Sequence, residues 1–282
     1  MIIKKNVPVS KLSSFGNVGE VPILYIAETI SELQELIQKF NRYIVIGKGS
    51  NTIINPNHSY EAIIQLSSTM FAPKINQSSC TFGAATSIHD CLKFCFQHQL
   101  SGLEFAIGIP ASIGGMTFMN FSCWDQSMED IVKTVYCLMP NGEIQTIHKK
   151  DLDFSYRYSC FQKNKAIILQ VELNLQKTNK ENIKNKKAYY LSLRKKHHPF
   201  CEKSFGSIYK NQLNTSSGKL LEQLGLKGKK MHNIVLSKQH ANFMINQNNA
   251  SFQNVLDALN FIEKLAKDKK NITLQREVRL LN

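Results

Sequence analysis

The first third of this chain is organised around one stretch, Tyr43-Ile44-Val45-Ile46-Gly47-Lys48-Gly49-Ser50-Asn51-Thr52. Its four leading residues predict a short apolar strand, which runs directly into a glycine-containing loop. Glycine lets a backbone approach a ligand closely, and the N–H groups of such a turn can surround an anion. The loop is neither a Walker A loop nor a Rossmann Gly-x-Gly-x-x-Gly. Taken alone, it is better explained as a tight structural turn.

The segments around this strand predict a βαβ-like start. A helix is expected from Ser31 to Phe40, because Leu33, Leu36, Ile37 and Phe40 recur at helical spacing. Ser31 and Gln34 have the spacing of a capping box. A second strand is expected at Ala62-Ile63-Ile64-Gln65-Leu66. Strands that alternate with a helix predict an α/β segment.

The remaining two thirds mix helices and strands. Helices are expected at Ser87 to Gln99, Leu220 to Leu224 and from Ser251 onward. Pro140-Asn141-Gly142 predicts a hairpin between Thr134 to Met139 and Glu143 to Ile147, because Asn-Gly suits turn positions with positive φ. The other expected strands are Leu169 to Leu175, Phe243 to Ile245 and Ile272 to Leu280.

A second loop of small residues runs from Gly108 to Gly115 and precedes a helical stretch that reaches Asn120. Such a loop at a helix N-terminus can hold a diphosphate through backbone donors and the helix dipole. Two loops of this kind in one chain suggest a dinucleotide held between them. Close packing of a helix on a sheet is the alternative explanation.

Composition indicates a soluble globular protein of about two domains. The chain has 282 residues, and its 35 Lys and Arg against 21 Asp and Glu give a formal net charge of +14. This charge favours anionic partners without choosing among nucleic acid, membranes and phosphorylated small molecules. No apolar run approaches the roughly 20 residues of a membrane helix, and residues 1–8 do not resemble a signal peptide.

Cysteine usage suggests a reducing compartment, since the seven cysteines are an odd number without a Cys-x-x-Cys pair. Cys91 and Cys95 are expected to be buried thiols rather than metal ligands. Residues 177–196 hold eight Lys or Arg and one acid, Glu181, and we expect an exposed helix or linker there that ends at His197-His198-Pro199.

Three further segments carry side chains suited to chemistry. Arg157 lies between aromatic residues in Tyr156-Arg157-Tyr158-Ser159, where it can bind a carboxylate or phosphate or simply stack on the surface. Gly206-Ser207-Ile208-Tyr209-Lys210-Asn211 presents a hydroxyl, a cation and an amide after a turn. Glu277 follows near the C-terminus, where a lone glutamate is usually in a surface ion pair.

These segments, in order and spacing, resemble the UDP-N-acetylenolpyruvoylglucosamine reductase (MurB) family, in its shorter form. Gly47 to Asn51 resembles the family's Gly-Gly-Gly-Ser-Asn loop, with Lys48 at the middle glycine. The other similar segments are Gly102 to Asn120, Phe154 to Ser159, Gly206 to Asn211, Gly218 to Gly228 and His240 to Phe243. Departures include Tyr209 in place of phenylalanine and Phe121-Ser122-Cys123-Trp124 in place of a small-residue stretch.

The resemblance implies an α+β fold, with a two-part FAD-binding module of the MurB and vanillyl-alcohol-oxidase type and a smaller α+β substrate-binding domain. The implied domains are FAD-binding subdomain 1 at 1–67, joined by a C-terminal strand at 275–282, FAD-binding subdomain 2 at 68–196, and the substrate domain at 197–274.

The resemblance also implies site residues. Arg157, Ser207 and Glu277 would be catalytic, and Tyr156, Lys210 and Asn211 would bind substrate. No metal is expected. The residues expected to bind cofactor are Gly47, Lys48, Gly49, Ser50, Asn51, Thr52, Gly108, Ile109, Pro110, Ser112, Ile113, Gly114, Gly115 and Asn120.

The implied activity is FAD-dependent, NADPH-consuming reduction of UDP-N-acetylglucosamine enolpyruvate to UDP-N-acetylmuramate. This reaction serves peptidoglycan synthesis, and hence cell shape and division, in the cytoplasm. Nucleic acid, membrane and an obligate protein partner are not expected. Two alternatives stay open: another FAD-linked oxidoreductase of the same fold, and a basic nucleic-acid-binding protein, which would show clustered aromatic residues on a basic face.

Overall fold

The structure is a computed structural model that describes residues 1–212 and 215–282. In chain order the strands are β1 (Ile2–Pro8), β2 (Glu20–Ala27), β3 (Tyr43–Val45), β4 (Thr52–Ile54), β5 (Ala62–Leu66), β6 (Lys74–Asn76), β7 (Ser79–Gly83), β8 (Leu100–Ser101), β9 (Ser122–Cys123), β10 (Gln126–Ser127), β11 (Val132–Leu138), β12 (Ile144–His148), β13 (Ile167–Asn174), β14 (Gln176–Lys177), β15 (Ser204–Ser207), β16 (Lys230–Met231), β17 (Ile234–Leu236), β18 (Phe243–Asn246) and β19 (Arg279–Leu281).

The α-helices in chain order are α1 (Ile30–Lys39), α2 (Ile88–Gln97), α3 (Ile113–Phe118), α4 (Met128–Ile131), α5 (Phe161–Asn164), α6 (Lys180–His197), α7 (Ser217–Gln223) and α8 (Phe252–Lys270). The chain forms two compact units. Unit 1 contains Met1–Lys4, Ile23–Lys48 and Tyr60–Leu193, and unit 2 contains Lys5–Pro22, Gly49–Ser59 and Arg194–Asn282. The three-part division at residues 67, 196 and 274 stays a prediction.

A five-stranded antiparallel sheet with the order β12-β11-β13-β7-β6 forms much of unit 1. β13 has the predicted period of two, because Leu169, Val171 and Leu173 are buried while the residues between them are partly exposed. The predicted hairpin is also present, with Leu138 opposite Ile144 in the β11–β12 ladder. The turn between these strands therefore sets the register of this edge of the sheet.

The βαβ-like start is confirmed, since β2 and β3 both pair parallel to β5. The helix between them begins earlier than predicted. Thr29, not Ser31, is the N-cap of α1, and its hydroxyl accepts a hydrogen bond from the Glu32 N–H. The predicted capping box was wrong because a residue two positions upstream already had the required hydroxyl.

Two helices of unit 1 pack on the five-stranded sheet. Ser87 caps α2 and its hydroxyl accepts from the Asp90 N–H, and both Cys91 and Cys95 are buried in the core as free thiols. α3 ends at Phe118 rather than reaching Asn120 as predicted. The helix stops there because Asn120 has a φ of 40°, which is left-handed and cannot continue a right-handed helix.

Unit 2 is organised by a four-stranded sheet, β15-β18-β17-β16, and by the predicted amphipathic helix α8. A capping box between Ser251 and Asn254 starts α8, and Val255, Leu259 and Ile262 are fully buried in the core of the unit. The predicted last strand is shorter than the expected Ile272 to Leu280. Within residues 272–282, the strand is β19, and it pairs parallel to β4.

The basic segment forms helix α6, which ends at His197 before His198-Pro199 as expected. In unit 2, His198 stacks on Phe243 with a centroid distance of 5.2 Å, and its Nδ1 lies 3.4 Å from Nη1 of the buried Arg194. Burial, followed by the positive charges of Arg194, His240 and His197, lowers the pKa of His198 to about 4.

We predict that His198 makes unit 2 acid-sensitive. Below pH 6.5 the unfolded chain binds a proton at this imidazole and the folded chain does not until about pH 4, so stability falls as pH falls through this window. His198→Gln should reduce that loss by about 2 kcal/mol in urea titrations between pH 7 and pH 4.5. The exposed His148→Gln is the control. A His198→Gln profile parallel to that of the unmodified protein would contradict this.

Candidate active site

At Gly49, the first loop (residues 47–51) leaves no room for a residue larger than glycine. This residue has a φ of 62°, and a Cβ built on it would overlap the carbonyl oxygen of Leu12. The carbonyl oxygen of Gly49 accepts a hydrogen bond from the Ser14 N–H at 3.3 Å. Leu12 and Ser14 therefore lie against this loop within unit 2.

Gly47 brings the two predicted loops together within unit 1. A Cβ at Gly47 would lie 2.6 Å from Oγ of Ser112, so the close approach depends on the absence of a side chain. The Gln65 side chain donates to the carbonyl oxygen of Gly47 at 3.0 Å and fixes the peptide plane. This proximity agrees with the expectation that both loops serve one ligand.

The backbone donors of the first loop are available to a ligand. Within residues 1–212 and 215–282, the N–H groups of residues 47–50 donate no hydrogen bond to a protein acceptor. Gly47 and Lys48 are exposed, and Ser50 is half-buried. Successive unpaired N–H groups around a left-handed glycine form a concavity that binds anions such as a diphosphate.

The second loop differs from expectation. The N–H groups of Ile113 and Gly114 donate to the carbonyl oxygens of Thr86 and Ala84, at 3.0 and 2.9 Å. They are therefore not free for a diphosphate, and α3 has only six residues. A Cβ on Gly114 would lie 2.7 Å from that of Ala84. Close packing on the sheet, the alternative explanation, accounts for Gly114.

Asn120 has protein partners for both ends of its buried side-chain amide. Its Oδ1 accepts from the Glu129 N–H at 3.0 Å, and its Nδ2 donates to the carbonyl oxygen of Ser155 at 3.0 Å. Asn120 thus connects the end of α3 to the turn that carries Tyr156 and Arg157. Its role as a flavin contact stays a prediction, as do those of Gly108, Ile109, Pro110, Ser112 and Gly115.

Arg157 is held in a specific orientation in unit 1. Its backbone is left-handed, with a φ of 58°, and Ser155 and Tyr158 exchange backbone hydrogen bonds across the turn. The guanidinium lies 5.1 Å from the Tyr156 ring and 5.7 Å from the Phe121 ring. Its Nη1 donates to Oγ of Ser122 at 2.7 Å. The predicted stacking on aromatic residues is present, with Phe121 in addition to Tyr156.

Unit 2 brings three other predicted segments together. The Glu277 N–H donates to the carbonyl oxygen of Ile208, next to Ser207, at 2.8 Å. The carbonyl oxygen of Glu277 accepts from the Asn51 side chain at 3.0 Å, and the Arg279 N–H donates to the Asn51 carbonyl oxygen at 3.0 Å. Residues more than 200 positions apart are thus joined by backbone hydrogen bonds.

Neighbouring residues fix the substrate-side segment. The buried Tyr209 hydroxyl donates to the carbonyl oxygen of Leu259 at 3.3 Å, which explains how this chain accommodates tyrosine where the resembled family has phenylalanine. Asn211 Oδ1 accepts from the Ser217 N–H at 3.1 Å. Arg276, beside Glu277, donates two hydrogen bonds to the Glu263 carboxylate in an ion pair, and this bonding raises the pKa of Arg276.

Two buried side-chain oxygens mark positions that were not predicted as site residues. Oδ1 of Asn17 and Oε1 of Glu104 accept no hydrogen bond within the part of the chain that the structure describes. In the sequence, the signal for Asn17 is its position between two glycines, Gly16 and Gly19. In the structure both glycines have a positive φ. Glu104 lies in the segment that resembles the family's flavin stretch. Among the described residues, no group of three His, Cys, Asp or Glu side chains is arranged to hold a metal ion.

Comparison with known proteins places the first loop and α3 in an FAD binding domain, whose family model matches residues 22–148. The fold and site therefore define a flavin-binding protein. A second model, for the C-terminal domain of UDP-N-acetylenolpyruvoylglucosamine reductase, matches residues 198–281. These two matches cover both the loop around Gly49 and the segment from Ser207 to Glu277.

Relatives over nearly the whole length give the family. The UDP-N-acetylenolpyruvoylglucosamine reductase of Lactobacillus acidophilus is 32% identical, over 99% of this chain and 95% of that protein. The enzyme of Caldanaerobacter subterraneus is 30% identical, over 98% and 92%. The chain therefore belongs to the UDP-N-acetylenolpyruvoylglucosamine reductase family. The solved structure of the Thermus caldophilus reductase matches with a TM-score of 0.86 at 26% identity, covering 100% of both chains.

We predict that Gly47→Ala weakens FAD binding about tenfold or more, because the added methyl group forces the two loops apart. Flavin fluorescence titration measures this directly. Removing the opposing hydroxyl in a Gly47→Ala/Ser112→Ala double variant should restore part of the affinity. Gly142→Ala, at a positive-φ glycine with open space around it, is the control. Unchanged FAD affinity in Gly47→Ala would show that the loop contact does not support the cofactor.

Proposed function

We propose that this chain reduces UDP-N-acetylglucosamine enolpyruvate to UDP-N-acetylmuramate with NADPH, using bound FAD, in peptidoglycan precursor synthesis. The reaction adds a hydride and a proton across the enolpyruvyl carbon–carbon double bond and leaves NADP⁺ and a lactyl ether. Family membership over the full length supports the overall reaction. The roles of individual residues are argued from their positions.

FAD, when bound, accepts the hydride of NADPH and delivers it to the substrate. The residues of the first loop suit its diphosphate, because the N–H groups at 47–50 are unpaired within the described residues and Gly49 leaves space for close approach. Gly47 is the point where both loops meet. The positive net charge favours all three anionic ligands, which are FAD, NADPH and the UDP-sugar.

Arg157 and Glu277 are proposed to act where charge develops. Hydride delivery creates an enolate-like intermediate at the substrate carboxylate, and a fixed guanidinium stabilises it best when its orientation is set in advance. Arg157 meets this condition through its two ring contacts and its bond to Ser122. Glu277 is held on both sides of its backbone, by Ile208 and Asn51.

Ser207 is proposed to donate the proton to the enolate carbon. A serine hydroxyl is a weak acid, so donation requires a fixed position and a nearby charge that stabilises the alkoxide. Lys210, three residues along, is the proposed helper, and its backbone is fixed by Gln275 and Ser217. Gly206, next to Ser207, has a φ of 82°, and a Cβ built on it would have no atom within 4 Å. The space beside Ser207 is therefore open. Asn211 and Tyr156 are proposed to contact the nucleotide diphosphate and the sugar.

The observation that carries the proposal is the 2.8 Å hydrogen bond from the Glu277 N–H to Ile208. It joins the backbone of Glu277 to the residue next to Ser207, the proposed proton donor, inside the segment matched by the reductase C-terminal model. An FAD-linked oxidoreductase acting on another substrate would have no need for this pairing.

We propose a cytoplasmic location, with no nucleic acid, membrane or obligate protein partner. Both consumable substrates are small anionic molecules of the cytoplasm, and all seven cysteines are free thiols. In residues 1–212 and 215–282, none of the helices combines the length and apolar character that crossing a bilayer requires.

We predict that Ser207→Ala separates the two half-reactions. Anaerobic reduction of bound flavin by NADPH should proceed at the unmodified rate, because this step needs no proton from Ser207. Reoxidation by the enolpyruvyl sugar should slow about 10²- to 10⁴-fold, the usual loss for a general acid. Stopped-flow absorbance at the flavin band measures both steps.

Ser216→Ala is the matched control, because Ser216 is an exposed serine of the same unit without a side-chain capping bond. Unchanged reoxidation in Ser207→Ala would exclude the proton-donor role. Equal loss in both half-reactions would point instead to a defect in cofactor binding.

A further inference from the structure

We propose that Ser122 is a positioning residue for Arg157: it sets the orientation in which the guanidinium meets the substrate carboxylate. This inference rests on the proposed function, in which Arg157 stabilises the enolate. Ser122 lies in the stretch Phe121 to Trp124, where this chain departs from the small residues of the resembled family.

Ser122 offers two acceptors to one nitrogen of the Arg157 guanidinium. Nη1 of Arg157 donates to Oγ of Ser122 at 2.7 Å and to its carbonyl oxygen at 3.2 Å. A guanidinium has five N–H donors in a rigid plane, so two bonds at one nitrogen help to orient that plane. The rings of Phe121 and Tyr156 contact the same guanidinium and limit its tilt.

The hairpin that carries Ser122 is held rigidly. β9 and β10 pair Cys123 with Gln126, and the two residues between them, Trp124 and Asp125, have φ of 52° and 57°. A left-handed pair is the pattern of a type I′ turn, which normally requires asparagine or glycine. A bulky tryptophan in this conformation is strained, and such strain persists only where the surroundings enforce it.

Contacts at both ends of the hairpin supply that enforcement. The Trp124 ring packs against Tyr190 of α6 at a centroid distance of 5.8 Å. At the other end, the N–H and hydroxyl of Ser127 bond to Oδ2 of Asp130 at 2.7 and 2.8 Å, at the start of α4. Ser122 therefore presents its two acceptors from a fixed support rather than from a mobile loop.

Arg157 is constrained from its own side as well. Its left-handed backbone is held by the Ser155–Tyr158 turn, and Asn120 binds the carbonyl oxygen of Ser155. The Nη1–Oγ contact then adds a constraint on the rotation of the Arg157 side chain. A catalytic group displaced by about 1 Å loses about 10²-fold in rate.

The test is the Ser122→Ala variant, assayed as two half-reactions. Reoxidation of reduced flavin by the enolpyruvyl sugar should slow about 10- to 100-fold, while reduction by NADPH and FAD affinity stay unchanged. Ser122→Thr keeps the hydroxyl and suits a strand, so it should restore the rate. Ser68→Ala, at an exposed serine of unit 1 outside the hairpin, is the matched control and should leave the rate near normal.

The Arg157→Ala background separates this inference from the proposed function. Slow reoxidation in Arg157→Ala, with no additional loss when Ser122→Ala is added, supports the positioning role. If Arg157→Ala reoxidises normally, the proposed role of Arg157 fails. If Arg157→Ala is slow but Ser122→Ala is normal, or if Ser68→Ala is as slow as Ser122→Ala, the positioning role alone is overturned.

Discussion

The candidate site of unit 2 depends on one interaction, the pairing of Asn51 with the backbone of residues 277–279. The Asn51 side chain donates to the Glu277 carbonyl oxygen, and the Asn51 carbonyl oxygen accepts from the Arg279 N–H. This exchange continues into the parallel ladder of β4 and β19. The pairing holds the backbone of residues 277–279 against Asn51 and so gives Glu277 a defined position.

Constrained backbone is a second theme of both units. Gly49 has no room for a side chain, and Arg157, Trp124 and Asp125 are all left-handed although none of them is glycine. Non-glycine residues in this region cost of order 1 kcal/mol or more each and cluster where geometry serves function. Trp124, Asp125 and Arg157 belong to the hairpin and the turn that bring Ser122 and Arg157 into contact.

Local signals predicted the elements well and their ends less well. Pro140-Asn141-Gly142 was sufficient for the β11–β12 hairpin, and the apolar periodicity after Ser251 was sufficient for α8. The start of α1 was misplaced because Thr29 and Ser31 are both capable caps, and sequence does not say which hydroxyl reaches the N–H of the first turn.

The site was predicted as a set of residues but not as a geometry. The resemblance named Asn51, Ser207 and Glu277, and in the structure the Glu277 backbone bonds to the Asn51 side chain and to Ile208, the residue after Ser207. The local sequence did not show that the N–H groups of Ile113 and Gly114 already donate hydrogen bonds. Their acceptors, the carbonyl oxygens of Thr86 and Ala84, lie on another segment of the chain. Ser122 escaped notice for the same reason, since its partner Arg157 is 35 residues away.

Anaerobic NADPH oxidation in the purified, FAD-loaded protein, measured with and without UDP-N-acetylglucosamine enolpyruvate, tests whether this chain reduces the enolpyruvyl sugar. We expect multiple turnovers that require the sugar and yield UDP-N-acetylmuramate. Oxidation that stops after one equivalent of flavin, whether or not the sugar is present, would contradict it and leave a flavoprotein with a different electron acceptor.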